Sequence, residues 1–184
     1  MLRRLMIILF VAFVAAPTLC IAASPSITAD VAMQIINGCV AHAKGKKQSH
    51  AIAVYDEGGH PVALLRMDGN QPGVTEFAVQ KAEAVASWHF STADMAASTK
   101  QTPGFANAPH VVTVAGGIPV YSIEGQYVGA VGVSGEAPED DTACAEAGVK
   151  AAGLSISRKP KGRVTRPTAR SKLPRALKEA DIPK

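Results

Sequence analysis

TVAGGIPVYSIEGQYVGAVGVSG, residues Thr113–Gly135, decides how this chain folds. Val112–Val114, Ile118–Ser122 and Tyr127–Val133 are rich in β-branched and aromatic residues. Gly116-Gly117 and Glu124-Gly125-Gln126 separate them where a chain must turn, so the stretch predicts a meander of two or three strands. Within its last strand Gly129 and Gly132 present no side chain. That gap admits either a closely packed helix or a flat ligand.

Upstream, Ser26 or Thr28 is placed to cap a helix running to about Lys44, with Val31, Ile35, Ile36, Cys39 and Val40 at helical spacing. Ala51–Tyr55 and Val62–Met67 form a hairpin through Asp56-Glu57-Gly58-Gly59-His60, and Pro61 belongs at a strand start or on an edge. Asp68–Gly73 reads as a loop, Thr75 as the cap of an amphipathic helix reaching Trp88, and Thr92–Ala97 as a shorter helix. Lys100–Pro109 is expected to be a loop. Pro138 followed by Glu139, Asp140 and Asp141 marks the start of a last helix ending near Gly153. The expected order is α-β-β-α-(α)-β-β-β-α, an α/β (α+β) domain with a five-stranded, mainly antiparallel sheet flanked by helices.

At 184 residues the chain suits one domain, residues 24–155, between two segments of different character. Residues 1–23 combine Arg3 and Arg4, an apolar run from Leu5 to Val14 and a small-residue region ending near Ala23, the pattern of a cleaved signal peptide. Delivery to the periplasm or outside the cell follows. Ten apolar residues are short for a retained anchor, and Leu19 before Cys20 does not suit lipoprotein processing.

The net charge of +4 hides an asymmetry. Residues 24–155 carry seven Lys/Arg against thirteen Asp/Glu, whereas residues 156–184 carry ten against two. The globular part is acidic, which argues against nucleic-acid binding there. The basic, proline-containing tail is expected to be disordered and to suit an acidic protein or membrane surface, or only to aid solubility. Without the leader two cysteines remain, Cys39 and Cys144; an oxidising compartment permits a disulfide between them, and a buried unpaired couple is the other reading.

Four stretches in order resemble the GlcG/HbpS family, the haem-binding or haem-degrading domain also found at the C-terminus of PduO-type proteins. They are Ala51–Asp68 (AIAVYDEGGHPVALLRMD), Gln80-Lys81-Ala82, Gly116–Val120 (GGIPV) and Tyr127–Asp141 (YVGAVGVSGEAPEDD). The resemblance spans roughly Ile27–Leu154. It implies a profilin-like fold, homo-oligomers and, for several members, secretion and haem binding.

Haem iron takes an imidazole facing an apolar pocket. Through the family's GGH-type motif His60 is the first candidate for an iron ligand, or else an exposed turn histidine. His110, from the loop before the meander, and His89, at a helix end beside Trp88, are further candidates, while His42 and His50 read as surface residues. Lys81 and Arg66, at family-like positions, are candidates for a haem propionate or another small anion; for Lys81 pairing with a nearby acid is the other reading. Glu136, Glu139, Asp140 and Asp141 either begin the last helix or hold a cation. No Walker, Rossmann, HExxH or Ser-His-Asp spacing is present. The expectation is an exported, oligomeric haem-binding protein that scavenges, stores or senses haem or iron. The rivals are an enzyme or accessory protein for a small carboxylate or aldehyde, and a structural oligomer whose tail docks a partner.

Overall fold

The structure, a computed structural model, describes residues 26–158; the leader and the tail from residue 159 lie outside the described residues. The elements are α1 (Ala29–Lys46), β1 (Ala51–Asp56), β2 (Pro61–Arg66), α2 (Pro72–Trp88), α3 (Thr92–Gln101), a 3-10 turn (Pro103–Asn107), β3 (Gly117–Tyr121), β4 (Tyr127–Ser134) and α4 (Pro138–Ala151). Four antiparallel strands form one sheet in the order β2-β1-β4-β3.

Strand alternation divides the core in two. Ile52, Val54, Val120, Val131 and Val133 point to one face, where Ile35, Ile36 and Cys39 of α1 and Cys144 and Val149 of α4 cover them. Cys39 and Cys144 are fully buried and joined as a disulfide, with Cα atoms 4.6 Å apart, so the α1–α4 layer is covalently closed. Ala51, Ala53, Tyr55 and Ala130 point to the other face, against Ala78, Ala82 and Val85 of α2. Small residues on both sides let α2 lie close to the sheet. A β-carbon at Gly132 would run into the Ala78 carbonyl and stand 2.5 Å from the Ala82 nitrogen. The gap in the last strand is therefore filled by a helix.

The fifth strand is absent among the described residues. Val112–Val114 is half-buried to exposed and joins no ladder, because the outer edge of β3 already has its partners. Thr92 Oγ1 accepts the Gly117 N–H at 3.0 Å, Pro119 has no N–H, and Tyr121 exchanges hydrogen bonds with Ser155 at 2.7 and 2.9 Å. Helix boundaries shift as well. Pro72, not the residue after Thr75, opens α2, since a proline at N1 lacks only an N–H the helix does not use. α1 runs two residues past the expected Lys44, and Lys47 takes its left-handed cap and donates its N–H back to the Lys44 carbonyl. Ser91 caps α3 by accepting from the Asp94 N–H, and α3 runs to Gln101. Among the described residues no helix is long and apolar enough to cross a membrane.

Candidate functional site

The chemistry-bearing residues gather at opposite ends of the sheet. One end holds the β1–β2 turn, the C-terminus of α2, His110 and the start of β4. The other holds the end of β4, the start of β1 and the N-terminus of α4.

The first end is open. Gly58, Gly59, Glu83, Ala86, Ser87 and His110 line a recess of about 320 Å³ between the hairpin turn, α2 and the loop before β3. His60 is 78% exposed beside it. Asp56 Oδ1 accepts the His60 backbone N–H at 2.9 Å and lies 3.4 Å from the ring Nδ1, an arrangement that turns Nε2 toward solvent. The imidazole leans on the bare backbone of Gly58, where a β-carbon would stand 2.9 Å from the ring. His110 holds a left-handed backbone, φ 57°, and is exposed. Trp88 anchors its loop by donating Nε1–H to the Pro109 carbonyl at 2.9 Å, and packs edge-on against Phe105 at 5.0 Å.

His89, the left-handed cap of α2, stacks on Tyr127 with centroids 4.0 Å apart. Burial, then Tyr121, Asp56 and Glu57, push the Tyr127 phenol far above its ordinary range. Beside the recess, burial and the Glu83 carboxylate, which accepts from the Tyr55 hydroxyl at 3.1 Å, push the Tyr55 phenol up to about 12. This end therefore offers three imidazoles and an aromatic surface, with phenols that keep their protons.

The opposite end is dry. Lys81 Nζ donates to Asp141 Oδ2 and to the Val133 carbonyl, each at 2.9 Å, and lies 4.9 Å from the centre of the Phe77 ring. Asp141 Oδ1 sits 3.1 Å from His50 Nδ1 and accepts the Glu136 N–H at 3.1 Å. All three side chains are essentially inaccessible. His50, expected at the surface, is thus a core residue, while His42 is half-buried. The buried state of His50 had a signal: it directly precedes Ala51–Tyr55, an unbroken run buried on both faces.

These placements divide the expected constellation, and for Lys81 they give the reading in which it pairs with a nearby acid. Lys81 pairs inside the protein with Asp141 and does not reach a surface anion. Arg66 is exposed at the far end of β2, with Nη1 on the Asn70 carbonyl, about 20 Å along the strand from His60. His110 lines the recess and His60 stands beside it, whereas Arg66 and Lys81 belong to the other end. Three of the four carboxylates around Pro138 are committed elsewhere: Glu136 accepts the Ser49 N–H at 3.0 Å, Asp140 pairs with Lys46 at 3.4 Å and Asp141 takes the buried lysine. Among the described residues no cluster of three or more His, Cys, Asp or Glu is placed to hold a metal ion.

A family model described as "Haem degrading protein HbpS-like" matches residues 27–150. Protein GlcG of Escherichia coli K12 is 35% identical over 105 residues, 56% of this chain and 78% of GlcG. Among solved structures, a double mutant of Streptomyces reticuli HbpS is 29% identical with a TM-score of 0.64, covering 76% of this chain and 95% of that one. A PduOC:heme complex, 19% identical with a TM-score of 0.65 over 72% of this chain and 99% of that one, shares the fold.

Proposed function

From the premise that this chain belongs to the HbpS-like family, we propose that it is an exported haem-binding protein whose haem seats at the open end of the sheet. The observation that carries the reading is the recess at this end: His110 lines it, and His60 flanks it with Nε2 turned outward. The residues suit the group. An exposed imidazole would supply a nitrogen donor for the iron, the glycine turn and Ala86 would permit close approach of a flat ring, and Trp88 with Phe105 extends the apolar surface. Haem, when bound, supplies an iron for storage, sensing or electron exchange. His60 and His110 would hold and orient it, and Asp56 fixes the His60 ring.

Export is supported by the leader pattern and by a disulfide in a core that the cytosol would keep reduced. The rival small-carboxylate enzyme needs Lys81, Arg66 and His60 around one anion, and Lys81 is buried on Asp141 at the end away from His60.

Ferric haem titration tests the reading. A saturable Soret shift is expected in the wild type, lost at the same haem concentrations in His60→Ala and changed in position by His110→Ala. Both variants should keep unfolding free energies within about 0.5 kcal/mol of wild type, since both side chains are exposed. A wild type without a Soret shift, or a spectrum indifferent to both substitutions, overturns it.

A further inference from the structure

The two edges of the sheet are unlike. At the β3 edge Thr92, Pro119 and Ser155 leave almost nothing for another strand. At the β2 edge the register exposes backbone groups. Met67 donates to the His50 carbonyl and Leu65 pairs with Ile52, so the intervening Leu64 and Arg66 turn their N–H and C=O groups away from β1. No described residue covers them. Leu64 is 52% exposed, a leucine standing alone where α2, seated on β1, β3 and β4, does not reach.

We infer that β2 pairs antiparallel with β2 of a second copy across a two-fold axis at Leu64, and that this pairing completes the haem site. The inference rests on the haem reading above for its second half only. The edge is self-complementary: Leu64 faces Leu64 of the partner subunit, and Val62 faces Arg66 of the partner subunit. An axis normal to the sheet keeps both α2 layers on one side, so the two leucines fill the cleft between them. Behind the sheet α1 packs against β2 and presents Met33, 47% exposed, for further apolar contact.

Pairing also reunites what one chain separates. The partner's Arg66 comes to lie beside Val62, two residues from His60, on the face that carries the recess. A guanidinium absent from the His60 end of its own chain is thereby supplied to a carboxylate-bearing ring held there.

Light scattering on the purified protein should give an even multiple of the chain mass, and Leu64→Lys should halve it while leaving the thermal transition in place. A monomeric wild type, or an unchanged mass in Leu64→Lys, overturns the pairing. Haem titration then tests the shared site. Arg66→Ala should weaken haem binding about tenfold and His60→Ala should abolish the tight site. Co-expressed in equal amounts, these two variants should regain about one quarter of the wild-type tight sites, because random pairing creates one intact site in half of the dimers. No regain overturns the shared site and leaves the pairing to the mass measurement. If the wild type binds no haem, the shared site falls with the haem reading while the masses still decide the edge.

Discussion

The two ends of this sheet use polar side chains in opposite ways. At the dry end a lysine, an aspartate and a histidine sit inside the fold, spent on one another and on backbone except for the His50 Nε2, which is buried where no ligand can enter. At the open end histidines of the same chemical type stand in solvent with one ring nitrogen unspent. The difference teaches that residue type alone does not mark a ligand site. What marks it is unspent donor or acceptor capacity facing a space that a ligand can enter.

The contrast is most easily broken at Asp141. Asp141→Ala leaves the Lys81 ammonium buried with only the Val133 carbonyl, and should lower the unfolding free energy by about 3–5 kcal/mol. Chemical denaturation measures this. A loss below 1 kcal/mol would mean that the pair is not as dry as described. The double variant Lys81→Met, Asp141→Leu should lose much less, because it removes both charges together.

Next in size is the covalent tie in the α1–α4 layer. Cys39→Ala with Cys144→Ala should cost about 2–4 kcal/mol, read as a lower denaturation midpoint. Haem binding at the other end should persist. A lost Soret shift in a folded double variant would show that the ends are coupled.

The smallest effect is expected at high pH. The Tyr55 phenol titrates near 12 in the folded protein against an ordinary value of 10.0. The folded state thus holds the proton more tightly. Its contribution to stability is fully present below pH 10 and is lost as pH rises through about 12. Tyr55→Phe should flatten the alkaline decline in stability in that window. An unchanged decline would assign it to Tyr127, whose phenol is also pushed up.

The sequence made some of this legible and hid the rest for identifiable reasons. The hairpin through Asp56–His60, the β3–β4 turn and the acid-rich start of α4 were readable because glycine, proline and capping acids act over four or five residues. The supposed strand at Val112–Val114 misled, since β-propensity does not reveal whether an edge is already occupied by Thr92 and Ser155. His60 and His110 could be singled out as histidines beside turn or loop residues, but the recess that lies at both depends on α2, which supplies Glu83, Ala86 and Ser87 to its wall. Lys81 was visible at the border of an apolar helix face, yet its partner is 60 residues away and became identifiable only when α4 packed near the end of β4.

By itself, then, the sequence determined the local grammar: where the chain turns, which helix faces are apolar and which family the motifs resemble. These follow from backbone sterics and hydrophobic periodicity, which act between near neighbours. The tertiary structure alone decided which charges are inside, which histidines keep a free nitrogen and which sheet edge stays open. Those outcomes depend on contacts between residues tens of positions apart, and only the packed layers bring such residues together.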